Sequence, residues 1–96
     1  MILEVAIINI KTGQEKSFEA AFKKAENIIE DQSGYVSHQL QHCLEIASRY
    51  ILLVNWESLE DHTVGFRESE AYPQWRALLH YFYDPFPTVE HYQLVS

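Results

Sequence analysis

His62 stands where acid–base chemistry is possible. A strand ends in Asn55-Trp56, Ser58 and Asp61 come next, and the chain leads through His62 to Phe66, Arg67, Tyr72 and Trp75. An imidazole just inside a helix start is favoured neutral, because the helix dipole disfavours a cation there. A neutral imidazole can accept a proton from, or hydrogen-bond to, a substrate oxygen. Trp56, Phe66, Tyr72 and Trp75 can wall a slot for a planar aromatic ligand. Arg67 is a scarce cation in an acidic chain. It can pair with Glu68 or Glu70, or hold an anionic substrate oxygen. His38 and His91 lie on alternating segments and are two further candidate bases. His80, between Leu79 and Tyr81, reads as a packing residue.

Other chemistries find less support. Five histidines invite a metal reading, but His38 and His42 on a strand are ~13 Å apart. No HExxH motif and no Cys/His cluster is present. Gly13, Gly34 and Gly65 are isolated, so no phosphate-cradling loop is written here. Cys43 has no evident activating partner. The expectation is a site without metal or cofactor.

Periodicity sets out the elements that hold these residues. Residues 2–10 are rich in β-branched side chains and predict a strand. Phe18, Ala21, Phe22, Ala25, Ile28 and Ile29 form one stripe of a helix over about residues 14–31. Gly34 suits the left-handed position after it. Residues 35–44 and 49–56 predict two more strands, the first more polar. Ser58 and Asp61 resemble a capping box that opens a short helix to about Phe66. Ser69 is a candidate cap for a helix over about 70–82, with Pro73 in its first turn. Residues 88–95 predict a last strand.

The order β-α-β-β-α-β predicts an α+β fold of the ferredoxin-like, split βαβ type, with an antiparallel sheet in spatial order 4-1-3-2. Strands 1 and 3 are apolar on both faces, as central strands should be. Helices cover one face only, and a sheet face left to water should be polar. A second copy of the chain is therefore expected on the other face, as a homodimer packed sheet to sheet.

At 96 residues the chain predicts one domain spanning 1–96. A net charge of -7 argues against nucleic acid as a partner. No apolar run reaches the ~20 residues that span a bilayer. The segment Met1-Ile2-Leu3-Glu4-Val5 lacks the marks of a signal peptide, so a cytoplasmic location is expected.

The strand ending in Asn55-Trp56-Glu57-Ser58, the Ser69…Tyr72…Trp75-Arg76 pattern and a last strand with His91 and Tyr92 resemble the antibiotic biosynthesis monooxygenase superfamily. The resemblance runs from about residue 2 to 95. It implies a dimeric α+β barrel. Aligned on Trp56, the places of the haem-degrading relatives' Asn, Trp and His hold Ala6, Gly65 and Trp75, which disfavours that activity. The places of the polyketide oxygenases' Asn and Tyr hold Leu52 and His62, while their Trp is matched by Trp56. The implied function is a cofactor-independent monooxygenase acting on a small aromatic phenol or quinol with O2. His62, His38 or His91 would be its base, with Trp56, Phe66, Arg67, Tyr72 and Trp75 holding the substrate. The rival reading is a non-catalytic dimer of the same fold that binds a small apolar ligand or serves in a stress response.

Overall fold

Eight residues with alternating burial build β1 (Ile2–Asn9), the first strand of a four-stranded antiparallel sheet. In the computed structural model, which describes residues 1–96, α1 (Glu15–Glu30), β2 (Tyr35–His42) and β3 (Arg49–Trp56) come after it. A short π-helix (Asp61–Phe66), α2 (Tyr72–Leu79), a 3-10 turn (His80–Phe82) and β4 (Val89–Tyr92) complete the chain. The spatial order is β2-β3-β1-β4, the split βαβ arrangement. The central pair registers Ile2 opposite Trp56 and Glu4 opposite Val54, while β4 sets His91 opposite Glu4.

One face of the sheet carries the core. Ala6, Ile8, Tyr50, Leu52, Val54 and Trp56 point to it, and α1 lays Phe18, Phe22, Ala25 and Ile29 against them. These are the stripe positions, with Ala21 and Ile28 at its half-buried edge. Phe22 and Phe66 both meet Trp75 edge-on, so α1, α2 and the π-helix close over the sheet through aromatic contacts. The opposite face presents Leu3, Val5, Ile51 and Leu53 half-buried and Ile7 exposed, although no helix covers it.

Several element ends differ from the periodic reading. Ile10 leaves β1 and makes an isolated bridge to Tyr83. β2 stops at His42, where a ring nitrogen meets the Ala47 carbonyl at 2.6 Å and turns the chain. β4 has only four residues, and Leu94 and Val95 beyond it are exposed. Ser69 does not cap α2. Its hydroxyl donates to the Phe66 carbonyl (2.7 Å), which finishes the preceding helix instead. Pro73 does sit in the first turn of α2, where its missing N–H costs nothing.

Candidate active site

The site starts with a buried acid. Glu4 is 5% exposed and lies on the helix-covered face of β1. The indole Nε1–H of Trp56 donates to Glu4 Oε1 at 2.9 Å. A charge in such surroundings is costly unless it is paired. Burial accordingly pushes the Glu4 carboxyl up to about 7, against the opposing pull of the Trp56 hydrogen bond and the Arg67 guanidinium.

His62 is delivered onto this acid by the helix start before it. The Ser58 hydroxyl and backbone N–H donate to Asp61 Oδ2 (2.9 and 3.1 Å), and Asp61 N–H donates back to Ser58 Oγ (3.2 Å). This is the capping box, with Asp in the role of Glu. Gly34, at φ +82°, passes so close beneath that an added Cβ would overlap the Asp61 carboxylate. The next residue therefore turns inward. His62 is 4% exposed and stacks on Trp56, with ring centroids 5.5 Å apart. Its Nε2 lies 3.4 Å from Glu4 Oε1 and its Nδ1 lies 2.8 Å from His91 Nε2.

Burial drives the His62 pKa down to about 3, and Arg67 and His91 add to the effect. His91 is shifted down too, by burial and then by Arg67. At neutral pH both rings are uncharged, so each carries one N–H and one acceptor lone pair. The three groups are strung in a line, with His62 spending one nitrogen on each neighbour. Metal ligands must instead converge on a point, and no group of three His, Cys, Asp or Glu side chains in the chain does so.

A cavity of about 400 Å³ opens beside this line. That size suits a single small organic ligand. Glu4, Ala6, Ile8 and Leu52 form its sheet side, and His62, Phe66, Arg67, Tyr72 and Trp75 come from the helical side. His80, Tyr83, Phe86, Pro87 and Val89 complete the lining. Arg67 makes no ion pair with Glu68 or Glu70, contrary to one of its two expected roles, and its guanidinium stays available at the cavity wall.

The structure thus brings His62, His91, Phe66, Arg67, Tyr72 and Trp75 together. Trp56 stands behind His62 as its stacking partner and does not line the cavity. His38 is elsewhere. It sits between the Tyr35 hydroxyl (2.6 Å) and Glu26 (3.0 Å), in a separate depression lined by α1 and β2. The physical reason is register: His38 faces Val54 on the outer side of β3, two strands away from the β1–β4 pair that holds Glu4 and His91. His80 belongs to the cavity wall as well as to the packing, in edge contact with Phe86 and Tyr72.

The sequence model of the family described as antibiotic biosynthesis monooxygenase matches residues 1–78. The chain belongs to this family. YczJ of Bacillus subtilis (strain 168), an uncharacterized protein, is 55% identical over 93 residues, covering 97% of this chain and 98% of its own. A Bordetella bronchiseptica protein assigned to the same family superposes with a TM-score of 0.94 at 34% identity, over 99% of this chain and 97% of that one. SnoaB, a cofactor-independent oxygenase from Streptomyces nogalater, shares the fold with a TM-score of 0.74 at 18% identity, over 99% and 91% of the two chains.

Within this antibiotic biosynthesis monooxygenase fold, Glu4 is the member of the cavity cluster that sequence reasoning missed. The signal was present. Glu4 is the lone acid in the apolar row Ile2, Glu4, Ala6, Ile8, Ile10, and an acid inside a buried row needs a partner. Tyr83 joins the cavity wall by a different route. It comes after the helical stretch and reaches the cavity only because the chain doubles back to bridge Ile10.

Proposed function

We propose that this chain is a cofactor-independent monooxygenase that oxidises a small phenol or quinol with O2, working as a homodimer packed through the open sheet face. The observation that carries the reading is the neutral His62 ring beside Glu4 at an aromatic-walled cavity. A general base works best with a pKa near the operating pH, and Glu4 at about 7 meets that condition. His62 conveys the proton and orients the pair. The base takes the hydroxyl proton of the substrate. The resulting anion lies within reach of Arg67, the cation of the cavity wall, which favours its formation. The anion is then electron-rich enough to give one electron to O2, and the radical pair joins as a ring hydroperoxide. The proton held by the base completes the hydroperoxide, and the ring carbon that bears it gives up its C–H proton as the O–O bond breaks. This leaves one oxygen on the ring as a quinone carbonyl and releases the other, with that proton, as water. The apolar walls shield these intermediates from bulk water.

One observation favours a second reading. Leu52 presents an apolar side chain to the cavity where the polyketide oxygenases resembled here carry an Asn. A ligand-binding dimer without turnover would tolerate that exchange. Oxygen uptake with a panel of phenols and hydroquinones, without added flavin or metal, separates the two. Consumption that drops on His62→Ala supports the oxygenase. Saturable aromatic binding with no oxygen consumed supports the binding module.

A further inference from the structure

We propose that Glu4, His62 and His91 form one proton relay between the cavity floor and the protein surface, with His91 as its outer station. Its part in turnover rests on the oxygenase reading, but its existence is a property of the resting protein.

The geometry is that of a wire. Glu4 and His91 are paired directly across β1 and β4, so both side chains leave the same face of the sheet. His62 reaches over them and touches each with a different nitrogen, Nε2 toward Glu4 at 3.4 Å and Nδ1 toward His91 at 2.8 Å. The Glu4 approach is long for a hydrogen bond, as catalytic contacts often are before substrate tightens them. Glu4 and His62 are buried, whereas His91 is half-buried on an edge strand beside the exposed Tyr92. The line therefore runs from interior to solvent. Stacking on Trp56 holds the His62 ring, so protons must pass through it rather than swing with it.

Neutral rings give the line two arrangements. With Glu4 ionised, His62 Nε2 carries the proton and points it at the carboxylate, and His62 Nδ1 accepts from His91 Nε2–H. With Glu4 protonated, the acid proton points at His62 Nε2, and His62 Nδ1–H donates to His91 Nε2. In turnover the line starts with Glu4 protonated and first empties, the acid proton passing to His62 Nε2. His62 Nδ1–H moves to His91 Nε2, and His91 Nδ1–H passes to water. The ionised Glu4 then takes the substrate hydroxyl proton and gives it back to form the hydroperoxide, and one proton returning along the same line resets both rings. Protons balance over the cycle. Burial, the Trp56 indole and Arg67 bias Glu4. His62 and His91 stand beside it along the line, and the nearby Tyr83 hydroxyl is pushed up by burial, then by Tyr72 and by Glu4 itself. His80 and Tyr72 line the same cavity.

Long-range ¹⁵N NMR of the histidine rings, on the intact protein between pH 5 and 9, tests the relay without substrate. The expected result is a His62 tautomer change as Glu4 titrates, accompanied by one in His91 and abolished in Glu4→Gln. A His62 tautomer indifferent to pH, or unaltered by Glu4→Gln, overturns it. Kinetics add a second arm. His91→Gln should lower kcat by about 10-fold or more with KM little changed, with partial recovery on adding imidazole. Wild-type kcat and pH profile in that variant would equally overturn the proposal. If wild type consumes no oxygen with any phenol or hydroquinone, the oxygenase reading fails, while the NMR arm still decides the relay.

Discussion

Glu4 and His62 impose opposite pH dependences on stability. The Glu4 carboxyl titrates higher folded than unfolded, so its contribution is full below about 4.5 and is lost as pH rises through about 7. The His62 ring titrates lower folded than unfolded, so its contribution is present above about 6.5 and lost as pH falls toward about 3. Between roughly pH 4.5 and 6.5 the two slopes oppose each other. Glu4→Gln should remove one of them, and stability should then rise across that window. It should also stabilise the protein at pH 8, on the order of 2–3 kcal/mol at most. Urea unfolding at a series of pH values measures both. Trp56→Phe removes the one side-chain donor that holds the Glu4 pKa down. The expected outcome is a higher Glu4 pKa by ¹³C NMR, with the acid limb of kcat/KM moving the same way.

Among the elements, the helix start after β3 is what aims His62. Gly34 is required there twice over, by its positive φ and by the Asp61 carboxylate lying where a Cβ would go. Gly34→Ala should cost about 2–4 kcal/mol and displace the capping box, lowering Tm and weakening aromatic binding together. Ser58 and Asp61 could be read as that box directly from their spacing, as could the α1 stripe and the greasy central strands. Ser69 could not. A serine before a helix usually caps that helix, and only the three-dimensional end of the π-helix shows its hydroxyl turned back to Phe66. The site was legible in part for a related reason. Spacing places His62 and Phe66 on one short helix and Trp75 on the next, but no local pattern tells which strand histidine stands opposite Glu4. That is a matter of register between β1 and β4, at opposite ends of the chain, and it chooses His91 over His38.

For the molecule as a whole, the uncovered sheet face decides assembly. Leu3, Val5, Ile7, Ile51 and Leu53 form an apolar area on the central strands, rimmed by Ser37, Gln39 and Gln41 on one edge strand and Glu90 on the other. Such a face is costly to leave in water. Leu53→Asp should split the proposed dimer into protomers by sedimentation, with the fold retained in circular dichroism. A lone protomer for the wild type at low micromolar concentration would rule out the sheet-to-sheet assembly. Catalysis itself is decided with an oxygen electrode. Purified chain, freed of metal and flavin, is mixed with hydroquinones and phenols that fit about 400 Å³. The expected result is uptake of O2 with one oxygen atom retained in a quinone product, reduced about 100-fold or more in Glu4→Gln and His62→Ala. Uptake unchanged in both variants, or none across the panel, would refute the oxygenase reading.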